Sequence, residues 1–98
     1  MRMPGPDEPV YTIGVVARLL GCSTQTLRMW EREDLIRPYR TDTNNRLYSE
    51  ADFRRLAEIY RLAQEGVNLA GIRAILGPAG ARPPVSAASA ARESRDRK

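Results

Sequence analysis

Ninety-eight residues with a hydrophobic fraction of 42% and a formal net charge of +4 suit one small domain that buries a modest core. A single cysteine and no histidine exclude a zinc site built within one chain, which needs about four Cys or His ligands, and no strand-borne Gly-rich phosphate loop appears; neither an enzyme nor a cofactor is expected. No apolar run approaches the roughly 20 residues that span a bilayer, and residues 1–9 lack the apolar stretch of a signal peptide, so a cytoplasmic protein with no membrane partner is expected.

Residues 1–9 contain three prolines and read as a disordered arm. Thr12 is placed to cap a helix over residues 13–20, in which Ile13, Val16, Ala17 and Leu20 fall at the i, i+3, i+4, i+7 spacing of one buried face. Gly21 stops that helix by supplying a left-handed residue. Cys22 then reads as a small turn residue or as a redox-sensitive thiol. Ser23 caps a second helix reaching about Asp34, with Leu27 and Trp30 as its inward side.

Residues 35–40 form an extended segment with Pro38 at an edge position, Asp42-Thr43-Asn44-Asn45 is turn chemistry, and residues 46–48 return. The result is a small two-stranded wing, stable only when packed against helices. Ser49 caps a third helix, with Asp52 at N3 in a weaker form of the capping box. Its core-facing residues are Phe53, Leu56, Ala57, Ile59, Tyr60 and Ala63. Asn68 caps a fourth helix striped by Leu69, Ile72, Ile75 and Leu76 and ended by Gly77-Pro78. The folded unit is therefore residues 10–76, mainly α, with about four helices and the wing. Residues 77–98, rich in Arg, Ala and Pro, read as a flexible tail.

A helix, a tight turn, a second helix and a basic wing form the winged helix-turn-helix arrangement that puts side chains into the DNA major groove. Gln25, Arg28 and Arg32 share the face away from Leu27 and Trp30, and Ser23 and Thr24 stand at the amino end, which usually enters the groove. Gln pairs in a bidentate way with adenine and Arg with guanine, although any solvated helix face carries such residues. Arg37, Arg40 and Arg46, with Tyr39, Asn45 and Tyr48 among them, either clamp phosphates beside the groove or form a basic hairpin with no ligand. Arg54 and Arg55 extend that phosphate track or make surface ion pairs. Tyr11 is open to packing or to donation to a phosphate; Leu27, Trp30, Leu56 and Ile59 read as core. Fifteen of the sixteen cationic residues are arginine, whose planar fork suits phosphates and guanine edges.

Taken in order, these segments resemble the DNA-binding domain of the MerR family. The resemblance is carried by residues 11–17 (Tyr-Thr-Ile-Gly-Val-Val-Ala), Thr26-Leu27-Arg28-Met29-Trp30-Glu31, Leu35-Ile36-Arg37-Pro38 and residues 46–52 (Arg-Leu-Tyr-Ser-Glu-Ala-Asp). Within the family, residues 65–72 are most similar to HspR-type heat-shock repressors and GlnR-type nitrogen regulators, and Thr24-Gln25-Thr26-Leu27-Arg28 favours the HspR type. The resemblance implies a nucleoid-associated bacterial repressor of chaperone operons, with promoter or operator duplex DNA as partner and the chaperone DnaK as a co-repressor. It assigns the recognition-helix arginine to Arg28 and the wing arginine and tyrosine to Arg46 and Tyr48. Met29-Trp30 stands where the family usually has Tyr-Tyr, so the contact of the first tyrosine is lost and Trp30 keeps the packing part.

The family usually continues into a long dimer-forming coiled coil, whereas Gly77-Pro78 follows Leu76 here with no heptad run after it. A metal or drug sensor built on that helix is not expected, and assembly on DNA is left between cooperative monomers on direct repeats and pairing through the arms. A protein-interaction adaptor and an excisionase-like architectural factor, both on the same fold, are the alternatives to a sequence-specific regulator.

Overall fold

The computed structural model describes residues 3–79, and its elements follow from local capping chemistry. β1 (Tyr11–Thr12) runs directly into α1 (Ile13–Leu20), because the Thr12 hydroxyl accepts the Val15 amide and closes the first helical turn. Gly21 ends α1 at φ 82°, donating its amide to the Ala17 carbonyl. Ser23 then accepts the Thr26 amide and starts α2 (Thr24–Arg32). This helix stops short of the expected Asp34, which takes φ 62° and turns the chain away.

β2 (Tyr39–Arg40) and β3 (Arg46–Tyr48) form the wing hairpin, with Asn44 at φ 67° in its turn. Tyr39 lies opposite Leu47, and Arg40 opposite Arg46. The sheet has three antiparallel strands in the order β1-β3-β2, not the expected two. β1 adds to the far edge of β3, pairing Tyr11 with Tyr48 and Thr12 with Leu47. A two-residue strand has no alternation to read from sequence; only its partner makes it a strand. Because β1 is continuous with α1, the wing is tied to the first helix.

α3 (Glu50–Gln64) opens on a complete capping box: Ser49 accepts the Asp52 amide and Asp52 accepts the Ser49 amide, each at 3.0 Å. Asn68 caps α4 (Leu69–Leu76) by accepting the Gly71 amide at 2.8 Å. Val16, Leu27, Leu35, Tyr48, Leu56, Ile59 and Ile72 are fully buried between these helices and the sheet, with Trp30 at their margin. Trp30 meets the Tyr60 ring at 6.2 Å between centroids. On α3 the inner place expected for Ala63 is taken by Leu62, and on α4 Ile75 is 58% exposed rather than part of the buried stripe.

Both ends of the folded unit reach further than the composition implies. In the expected disordered arm, the Pro6 carbonyl accepts the Ala51 amide at 2.9 Å, and just after it Val10, the first residue of the expected folded unit, donates to the Tyr48 carbonyl at 3.0 Å. Beyond residue 76, buried Ala79 donates to the Asp34 carbonyl at 3.2 Å. Nearly all of the expected tail lies outside the described residues. Among the described residues, no helix is long and apolar enough to cross a membrane.

Candidate nucleic-acid interface

The two sides of α2 have opposite chemistry. Leu27 and Trp30 are 0% and 3% exposed, so the packing of this helix fixes which residues face out. On the outer side, Gln25 and Arg32 are exposed and Arg28 is half-buried, with Arg28 Nη1 donating to the Gln25 side-chain oxygen Oε1 at 3.1 Å. That contact pre-orients two side chains capable of bidentate base pairing, and both remain at the surface. Ser23 is exposed, but its hydroxyl serves as the cap, at 3.1 Å from the Thr26 amide; Thr24 is half-buried at the first helical position. The structure therefore brings Gln25, Arg28 and Arg32 together as one polar face.

The wing departs from the expected row of free cations. Glu31, in the last turn of α2, binds both Arg46, with Nε to Oε1 at 2.6 Å, and Arg40, with Nη2 to Oε2 at 2.9 Å. Arg40 also donates to the Asn44 carbonyl and side-chain oxygen at 3.2 and 3.3 Å. Arg37 is different: its side chain is 68% exposed, with Asp34 at 3.5 Å. Asn45 is exposed in the wing turn, held by Thr41 and Thr43. Burial, the largest influence on Glu31, works against its charged form, yet the hydrogen bonds from Arg46 and Arg40 outweigh it and lower the pKa. Nothing local in the sequence points to Glu31, because its partners lie 9 and 15 residues away.

Three residues weighed for phosphate contact, Tyr48, Tyr11 and Arg55, are buried or engaged within the fold. Tyr48 is 0% exposed, and its hydroxyl has no hydrogen-bond partner among the described residues. Burial pushes that hydroxyl up to about 12, against the lowering effect of Arg46. The strand register is the cause, since Arg46 and Tyr48 share the inward face while Tyr39, opposite Leu47, is 55% exposed. Tyr11 donates its hydroxyl to Glu50 at 3.0 Å and tilts against Phe53, so it packs; the Glu50 hydrogen bond, then the Glu50 charge and burial, raise its pKa. Arg55, only 8% exposed, turns inward and donates to the carbonyls of Leu35, Leu76 and Gly77 at 2.7, 3.2 and 2.6 Å. Its neighbour Arg54 stays outside beside Glu50 at 3.5 Å.

Cys22 is half-buried in the α1–α2 turn, where burial pushes its thiol pKa up against the opposing effect of its backbone hydrogen bond. That disfavours the thiolate a redox sensor needs. Among the described residues, no three acidic or cysteine side chains converge as metal ligands.

Residues 11–77 match the family described as MerR HTH family regulatory protein. The chain is 46% identical over 71 residues to the heat shock protein HspR of Streptomyces coelicolor, covering 71% of this chain and 47% of that one. It is 40% identical over 76 residues to the HTH-type transcriptional regulator GlnR of Bacillus anthracis, covering 78% and 59%. Against the HTH-type transcriptional regulator TnrA of Bacillus subtilis it is 39% identical over 66 residues, covering 67% and 60%. The chain thus spans about half the length of the curated relatives it matches. Among solved structures, HiNmlR, a MerR family regulator lacking the sensor domain and bound to promoter DNA, is similar at a TM-score of 0.61 and 29% identity, over 66% of this chain and 52% of that one. The match runs from β1 through both helices of the helix-turn-helix, the wing and α3 to the end of α4, and the chain belongs to the MerR family of HTH regulatory proteins.

Proposed function

We propose that the chain is a sequence-specific regulator of transcription that reads duplex DNA with the outer face of α2 and steadies it with the wing. The observation that carries this reading is the division of α2 into a buried side, Leu27 and Trp30, and a surface side on which Gln25 and Arg28 are already aligned by their own hydrogen bond. Base edges in the major groove are read by such bidentate side chains, while wing groups such as Arg37 and Asn45 serve phosphates. The promoter DNA bound by HiNmlR supports a duplex ligand. Repression at chaperone operons, with a chaperone co-repressor such as DnaK, is the finer form of the proposal and rests on the likeness to HspR alone.

Selection of duplexes from a random-sequence pool by the full chain tests the reading. The enriched duplex should bind about a thousandfold or more tighter than an unselected duplex of equal length at the same salt, the range typical of specific regulators. Failure to enrich any motif, with equal affinity for both duplexes, contradicts it.

A further inference from the structure

We propose that Glu31 is a specificity-determining residue: its carboxylate occupies both wing arginines, Arg40 and Arg46, locking the wing to the reading helix and keeping their charge from non-specific phosphates. This rests on the DNA-reading role proposed above.

The geometry differs from that of the other ion pairs. Arg37 with Asp34, Arg54 with Glu50 and Arg61 with Glu65 join residues one helical turn or less apart, and all six side chains are at least 39% exposed. Glu31 instead bridges from α2 to two strands, and its side chain and that of Arg46 are 24% and 21% exposed. Partly buried pairs of this kind are less screened by salt than exposed ones. Arg40 has both terminal nitrogens engaged, Nη2 by Glu31 and Nη1 by Asn44. Arg46 has its Nε engaged by Glu31.

A carboxylate and a phosphate oxygen compete for the same guanidinium forks. Any duplex, whatever its sequence, would gain phosphate contacts if both forks were free, because counterion release is blind to sequence. With both terminal nitrogens of Arg40 and the Nε of Arg46 engaged, part of that gain is lost for every duplex, and the bases met by Gln25 and Arg28 carry a larger share of the binding. The same bridge fixes the wing's position relative to α2, which only a correctly spaced site exploits.

The test compares wild-type and E31Q on a duplex enriched from a random-sequence pool and on an unselected duplex, across a salt series. E31Q is expected to bind the unselected duplex several-fold tighter, with a log–log salt slope steeper by about one to two ions, and to lower the enriched-to-unselected ratio about three- to tenfold. In the R40Q/R46Q background, E31Q should leave that ratio unchanged. If E31Q does not fold, E31D, which withdraws the oxygens by one methylene, should move the ratio and the slope in the same direction. An unchanged ratio and slope, or an equal change in the R40Q/R46Q background, overturns the role of Glu31 while leaving DNA reading intact. If the wild-type chain does not distinguish the two duplexes, both proposals fall.

Discussion

Arg55→Met is the most informative change for the fold, because it separates a buried staple from a phosphate contact. Arg55 ties the carbonyl of Leu35, just past α2, to the carbonyls of Leu76 and Gly77 at the end of α4. Two of these acceptors close a helix C-terminus, where a cation also meets the negative end of the helix dipole. Methionine keeps most of the stem but leaves all three carbonyls without a donor. Leu35 is fully buried, so its carbonyl loses a charge-assisted bond worth about 1.5–3 kcal/mol, while those of Leu76 and Gly77 sit nearer water and lose less. Burial lowers the pKa of Arg55 against the raising effect of Asp34 and Asp52, and relief of that desolvation offsets part of the loss. A net destabilisation of about 2–4 kcal/mol remains. For a domain of this size each kcal/mol moves the melting temperature about 4–8 °C, so urea titration and thermal melting should both register it, with Tm falling by at least about 8 °C. Arg54→Met, on the exposed neighbour, should change stability by less than about 0.5 kcal/mol. Equal, small effects of the two substitutions would refute the staple.

Tyr48→Phe removes a buried hydroxyl with no partner among the described residues, so it should leave stability unchanged or raise it by up to about 1 kcal/mol, with DNA affinity unaltered; weaker binding in a duplex titration would restore Tyr48 to the interface. Ser49→Ala breaks the α3 capping box and should cost about 1 kcal/mol by urea denaturation, with a loss under about 0.3 kcal/mol contradicting it. Acid should release the wing: the folded-state pKa of Glu31 lies below its ordinary 4.5, so the stability from its ion pairs is present above that value and is lost as pH falls through the lower one. The stability gap between wild-type and E31Q should accordingly be largest at neutral pH and shrink as the solution is acidified below 4.5.

The caps were the most legible part of the sequence. Thr12, Ser23, Ser49 and Asn68 each accept an amide three residues on, a local contact that spacing alone implies. The inward residues of α2 were equally plain, since Leu27 and Trp30 recur at helical spacing beside a polar face. What spacing could not supply was long-range pairing. β1 exists only through β3, Glu31 finds its arginines across the wing, and Arg55 reaches carbonyls 20 to 22 residues away. Tyr48 shows a subtler failure. In Arg-Leu-Tyr the leucine looks like the inward residue, yet pairing places Arg46 and Tyr48 inward together, and Tyr39 becomes the exposed wing aromatic.

The central claim is that bases are read from the outer face of α2, and Arg28→Ala tests it most directly. Equilibrium titration of wild-type and variant against an enriched and an unselected duplex should show about 1–3 kcal/mol lost on the enriched duplex, roughly five- to 150-fold. The unselected duplex should weaken by little more than one phosphate contact. Equal losses on both duplexes, or no loss on either, would contradict it.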